Sequence, residues 1–516
     1  MKTKRQFLLS GLLLALVALL MRTISVSFNV YVSNIVGAEA MGLLALIAGV
    51  YGFAVTLATS GIHLATVRTV SERLAQTGGT ENKKCLRACL RYAAFFGTLS
   101  TLLLLLFARP LSAFVLKDAR TARALYLLSF TLLPIALTAV INGYFVAVRR
   151  AWKNALSQIS EQSVKILLTG YFLVFLAPKT VEGCVLAILS GGAVAESFSL
   201  AFNLILYMLD KRHFRGIRPV KDGKAPRVAD IALPVAISAY ARSGLLAIEH
   251  ILIPRGLLSF GAGSAEALSA YGALQSMALP VVLYPAAVTT AFAGLLIPEV
   301  TEQQSTDNRI QIHYIAHRVY QLTLLFSIGA CAVMLCFSAS LGEALYHNGE
   351  VGKFIRLLAP LIPVMYLDTA TDALLKGLGE QVYSMRVNIL DALVSVICVA
   401  LLVPRMGITG YLVTIYVTEI LNAAFSIMRL LYVSGFRPSV GKIVFLPLVC
   451  AIGATHLSRL LLSASPLGGS LVFGISICTA CYLLLLLLSG SFGKSDRKWL
   501  LNFLQPEKKE AVKAEK

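Results

Sequence analysis

Ala239-Tyr-Ala-Arg-Ser-Gly-Leu-Leu-Ala-Ile-Glu-His-Ile-Leu-Ile-Pro-Arg-Gly-Leu257 is an apolar run with Arg242, Glu249 and His250 set inside it. With its flanks, from residue 229 on, it matches the length that crosses a bilayer core, about 20 residues or more. A charge at mid-depth costs roughly 2.5–3.5 kcal/mol on insertion scales. Charges there need a polar cavity, a partner or a ligand. Arg242 and Glu249 are seven residues apart, two helical turns, so they share one face about 10 Å apart along the axis.

Working outward, similar runs recur along the chain. They fall near 7–36, 40–62, 88–108, 121–148, 155–178, 182–209, 229–254, 267–298, 312–338, 353–378, 384–404, 407–433, 440–462 and 467–489. The reading is an all-α polytopic membrane protein with about 14 transmembrane helices. The segment after Met1-Lys-Thr-Lys-Arg5 has no convincing small-x-small cleavage site, and its apolar pattern continues past Arg22. It reads as an uncleaved first helix rather than a signal peptide. Pro280, Pro285, Pro360, Pro363 and Gly191-Gly192 interrupt spans, as happens where a cavity is lined.

The chain has 516 residues, 57% hydrophobic and 14% charged, with 46 Lys+Arg against 26 Asp+Glu and a net charge of +20. This composition argues against disorder, a disulfide scaffold and a soluble enzyme. Most Lys and Arg fall on alternate loops, which predicts both termini inside and an even number of spans. The basic excess is then a topology signal with contact to membrane lipids, and nucleic acid is not needed to explain it. The nine cysteines lie mostly in apolar runs. Cys478-x-x-Cys481 lacks a second pair, so no metal site is expected. Phosphate-loop, H-E-x-x-H and G-x-S-x-G signatures are absent, and a transporter rather than an enzyme is expected.

The chain divides into an N-terminal six-helix lobe at 1–209, a basic cytoplasmic connector at 210–228, a second lobe at 229–433, two extra helices at 440–489 and a basic tail at 490–516. A shift of 230 positions places Gly42 on Gly272, Val70-Ser71-Glu72 on Val300-Thr301-Glu302, Asn142 on Asp372, Gln158 on Asn388 and Glu161 on Asp391. A shift of 220 places Arg22 on Arg242 and Asn29 on Glu249. These matches indicate a six-plus-six duplication. A substrate site between the halves is the usual consequence.

Arg22 and Arg242 are the candidate anion-binding residues, because a guanidinium keeps its charge and binds phosphate bidentately. Asn29 and Glu249 are candidates beside them. Interhelical pairing is the structural alternative. Asp391, Glu196, Glu419, Asp368 and Asp372 are candidate coupling or structural acids. Glu161 with Lys165, and Asp372 with Lys376, stand at i,i+4 and read as mutually neutralising pairs.

The quoted stretch 239–257 resembles the seventh-helix region of the stage V sporulation protein B family. Ala270-Tyr-Gly-Ala-Leu-Gln-Ser-Met-Ala-Leu-Pro280 with Leu296-Ile-Pro-Glu299 resembles its eighth helix. Ile35-Val-Gly-Ala-Glu-Ala-Met-Gly-Leu43 resembles its first loop. The resemblance extends over nearly the whole chain. It implies the multidrug/oligosaccharidyl-lipid/polysaccharide exporter superfamily, beside the lipid II flippases. It implies two six-helix lobes in a V, a cationic cavity, and a groove for a polyprenyl tail at 440–489. It further implies a flippase moving an undecaprenyl-pyrophosphate-linked cell-wall precursor from the inner to the outer leaflet of the bacterial cytoplasmic membrane, for spore cortex peptidoglycan. No cofactor is implied; coupling to the membrane potential or to a proton or sodium gradient is open. The implied partners are a lipid-linked glycan, membrane lipids and cell-wall synthesis enzymes. Three positions depart from the lipid II flippases. Phe28 stands where they carry a second first-helix Arg, and Gln275 and Ala278 stand where they carry an eighth-helix Arg and Glu. Arg242 and Glu249 offer equivalent charge from the neighbouring helix. The alternatives are export of another lipid-linked polysaccharide unit, a cation-coupled multidrug exporter, or a membrane-embedded glycan polymerase or ligase.

Overall fold

The computed structural model describes residues 2–76, 83–176, 180–211, 228–306, 308–435, 441–463 and 470–490. The expected connector at 210–228, apart from its ends, and the tail beyond residue 490 lie outside the described residues.

Among the described residues the regular elements are helical. They are α1 (Lys2–Thr59), α2 (Ile62–Gln76), α3 (Lys83–Pro110), α4 (Thr121–Ser129), α5 (Leu132–Ala147), α6 (Ala151–Tyr171), α7 (Val181–Lys211), α8 (Val228–Phe260) and α9 (Ser264–Gly272). There follow α10 (Leu279–Leu283), α11 (Ala286–Ser305), α12 (Arg309–Tyr346), α13 (Gly349–Leu358), α14 (Ile362–Gly377), α15 (Gln381–Met406), α16 (Ile408–Ser434), α17 (Leu446–Ser463) and α18 (Leu471–Leu488).

Eleven helical runs among the described residues are long and apolar enough to cross a membrane, or twelve if the bent pair α4–α5 is one span. The protein is therefore a multi-pass membrane protein. The expected count of about 14 is not reached by this measure, for two physical reasons. The first two expected spans form one run, Leu19–Leu74. At 1.5 Å per residue its 56 residues would extend about 84 Å, far beyond a core of about 30 Å. The chain breaks that run at Gly37, where φ of +79° takes the backbone out of the helix at little cost to glycine. The expected span 267–298 is divided into α9, a π-helical turn (Ala273–Ala278), α10 and α11. Pro280 and Pro285 withhold backbone N–H groups there, so no continuous helix forms.

The chain divides into two compact units. One comprises residues 1–23, 278–384 and 419–516. Its core joins α11, α12, α14 and α16 through Val300, Val319, Tyr320, Leu374 and Leu430. A second cluster joins α12 to α17 and α18 through Leu325, Ile328, Ala454 and Tyr482. The Tyr482 hydroxyl donates to the Leu325 carbonyl at 2.8 Å, which satisfies its polar end within that apolar contact.

The other unit comprises residues 24–277 and 385–418. Inside it α1 and α9 meet backbone to backbone. A Cβ on Gly42 would lie 1.9 Å from the Leu268 carbonyl oxygen, and one on Gly272 would lie 2.1 Å from the Ala38 oxygen. The shift of 230 positions maps Ala38 to Leu268 and Gly42 to Gly272, so these contacts are reciprocal.

Candidate functional site

Arg22 in α1 and Arg242 in α8 are both exposed. Neither makes a hydrogen bond or ion pair with a described residue. The interhelical pairing that offered a structural alternative for Arg242 is thus not present among the described residues. A guanidinium inside an apolar helix and without a protein partner needs water or an anionic ligand.

Asn29 is placed differently. Its side-chain amide donates to the Ser276 carbonyl at 3.1 Å, and Ser33 donates to its carbonyl oxygen Oδ1 at 3.1 Å. Ser276 in turn donates to the Met41 carbonyl at 3.1 Å. Asn29 therefore ties α1 to the π-helical turn, and both ends of its amide are engaged.

Glu249 is buried, although it shares a helical face with exposed Arg242. Ser395 and Asp391, both of α15, lie close enough to its carboxyl to act on it electrostatically. Around this acid pair, the Tyr271 hydroxyl lies 2.5 Å from His250 Nδ1. Tyr411 donates to Gln275 Oε1 at 2.9 Å, and the Tyr271 and Tyr411 rings are 6.4 Å apart. Helices α8, α9, α15 and α16 thus enclose one polar cluster. Sequence reasoning found Glu249 and Asp391 but not Ser395, Tyr271 or Tyr411. The only signal for these three was a polar group inside an apolar run.

The remaining acids are dispersed. Asp372 pairs with Lys376 at 2.5 Å, as the spacing predicts, and also accepts from Ser384. Asp368 accepts from Asn422 at 3.2 Å. Glu419 is half-buried on α16. Glu196 is half-buried on α7, near Glu161 and Lys165. The Glu161–Lys165 pair expected from spacing does not form. Glu161 accepts from Ser199 at 2.7 Å instead, and Lys165 is exposed.

Other ion networks among the described residues were not foreseen, two of them in particular. Asp210, with no exposed side-chain surface, accepts from Arg150, Lys153 and Tyr144. Arg429 grips Glu380 through two nitrogens at 2.9–3.1 Å.

An apolar cavity of about 540 Å³ lies in the first unit against α12 and α18. Leu325, Phe326, Met334, Ile475, Tyr482 and Leu486 are among its walls.

Comparison with known proteins follows the same lines. The family model described as "Polysaccharide biosynthesis protein" matches residues 8–251. The chain is 24% identical to stage V sporulation protein B of Bacillus subtilis (strain 168), over 79% of this chain and 80% of that protein. It is 23% identical to sporulation protein YkvU of the same organism, over 48% of this chain and 56% of the relative. Among solved structures, the lipid II flippase MurJ in an inward closed conformation aligns with a TM-score of 0.69 and 10% identity, over 93% of this chain and 99% of that chain. An inward-facing multidrug resistance MATE family transporter of the MOP superfamily aligns at 0.64 and 13% identity, over 82% of this chain and 99% of that chain.

The fold is that of the MurJ and MATE transporters.

Stage V sporulation protein B is a relative of this chain, in agreement with the resemblance read from residues 239–257. The helices that carry Arg22, Arg242 and the Glu249–Asp391 cluster belong to this fold.

Proposed function

We propose that the protein is a flippase that moves an undecaprenyl-pyrophosphate-linked, lipid II-like cell-wall precursor from the inner to the outer leaflet of a bacterial cytoplasmic membrane by alternating access. Both termini are cytoplasmic in this reading. The observation that carries it is the pair of exposed intramembrane arginines, Arg22 and Arg242, without a partner among the described residues. Each offers a planar fork of donors to phosphate oxygens, the group shared by all polyprenyl-pyrophosphate carriers. The lipid II flippase MurJ and the relative named for stage V of sporulation support the substrate class and a role in spore cortex peptidoglycan.

The apolar cavity against α12 and α18 takes part of the polyprenyl tail, since its walls carry almost no polar groups. Glu249 and Asp391 carry the coupling proton or sodium ion. Two carboxyls in mutual electrostatic reach do not both stay charged without a counter-cation.

The test is reconstitution into vesicles with labelled lipid II and leaflet-specific detection, with and without a proton or sodium gradient. Transfer dependent on the protein is expected. Absence of transfer in every condition, with transport of a cationic drug instead, would shift the reading to a multidrug exporter.

A further inference from the structure

The cysteines of α12 and α18 have no part in the transport reading. Both helices belong to the same compact unit. The Tyr482 hydroxyl meets the Leu325 carbonyl, and a Cβ on Gly329 would lie 2.6 Å from the Tyr482 ring. Further along, a Cβ on Gly474 would lie 2.7 Å from the Phe337 ring. Residue numbers rise on α12 as they fall on α18, so the two helices run antiparallel. That register brings Cys336 within about one turn of Cys478. Their thiols lie close enough to act on each other.

Exposure and charge separate this pair from the other sulfurs nearby. Cys336 is half-buried, and Arg459 of α17 lies close enough to act on it electrostatically. Cys478 is 1% exposed, and both residues carry thiols. A partly exposed thiol beside a cation is the reactive kind, whereas cysteines packed in a core are inert. Cys450 and Cys481 are of the core kind, set among Leu325, Ile328 and Ala454. Cys481, three residues from Cys478, is also the wrong partner by geometry. Cβ atoms at that helical spacing stand about 5–6 Å apart, and a disulfide needs about 3.8 Å. A bond between two packed helices has no such restriction.

We propose that Cys336 and Cys478 form a redox-active dithiol, which a donor disulfide oxidises to a bond that staples α18 to α12. The Cys336 thiolate attacks one sulfur of the donor, which forms a mixed disulfide and expels the donor's first thiolate. The Cys478 thiolate then attacks Cys336 Sγ and expels the second. Two protein sulfurs are oxidised, two donor sulfurs are reduced, and the protons of both cysteines end on the departing thiols. Cys478 lines the apolar cavity with Ile475 and Thr479 of α18 and Met334 of α12. The bond therefore fixes two walls of that cavity against each other. It is independent of which lipid is carried.

Oxidised glutathione added to the purified full-length protein, followed by thiol counting and non-reducing peptide mapping, tests the pair. Wild type is expected to lose about two thiols per chain and to regain both in dithiothreitol. A cross-linked peptide joining residues 336 and 478 should appear, and Cys481→Ser should leave its yield unchanged. The oxidised protein should melt several degrees higher than the reduced one, a shift absent in Cys336→Ser. A peptide joining Cys478 to Cys481 instead, or no cross-linked peptide, would overturn the proposal. A glutathione adduct that persists on Cys336 would also overturn it, because Cys478 would then not reach that sulfur. Wild-type protein that forms the bond but fails to move lipid would support the pair while counting against the transport reading.

Discussion

Gly42 and Gly272, related by the 230-residue shift, pack directly on each other: a Cβ on Gly272 would lie 2.5 Å from the Gly42 amide nitrogen. No side chain fits between them, so the contact between α1 and α9 depends on both residues being glycine. Gly42→Val and Gly272→Val should each destabilise the protein by about 3 kcal/mol or prevent its accumulation. Gly52→Ala is the contrasting case. Its Cβ would meet no atom within 4 Å, and a helical alanine there should leave the melting temperature unchanged or slightly higher. Thermal unfolding in detergent separates the two.

Asp210 provides a second stability prediction. It neutralises Arg150 and Lys153 in a buried setting. Asp210→Asn removes the charge and leaves two cations facing a neutral amide. The expected loss is about 3 kcal/mol, and Lys153→Met in the same chain should recover part of it. A melt of the single and double variants checks the sign.

The fold was legible where it depends on local pattern. Apolar run length marked most spans, and Pro280 and Pro285 marked a break, although its extent emerged only from α9, the π-helical turn and α10. The site was legible in its charges and illegible in their partners. Glu161 suggested Lys165 because helical spacing is local information, yet its partner is Ser199 on α7. Asn29 suggested substrate contact, yet its amide is held by Ser276, 247 residues away. A hydrogen bond across such a separation follows from the folded topology, and no spacing rule encodes it.

Coupling should fail without transport being lost altogether. In Glu249→Gln or Asp391→Asn, lipid movement down its own gradient should persist, while stimulation by an imposed proton or sodium gradient should fall at least tenfold. Vesicle assays with and without the gradient read both quantities. Equal stimulation in wild type and both variants would remove these residues from coupling.

The tail cavity makes a prediction about substrate length. Thr479 lines it, and Thr479→Trp would fill much of its volume. Transport of a full-length polyprenyl substrate should drop severalfold, while a short-chain analogue with the same headgroup should be little affected. Competition between the two lipids in one vesicle preparation measures the ratio directly.

The most direct measurement is leaflet-specific transfer of labelled lipid II by reconstituted wild type, Arg22→Ala and Arg242→Ala, with membrane insertion verified for each. The account predicts at least a hundredfold loss of transfer in each variant at normal insertion, with partial recovery in the lysine variants. Transfer at the wild-type rate by both alanine variants would contradict it.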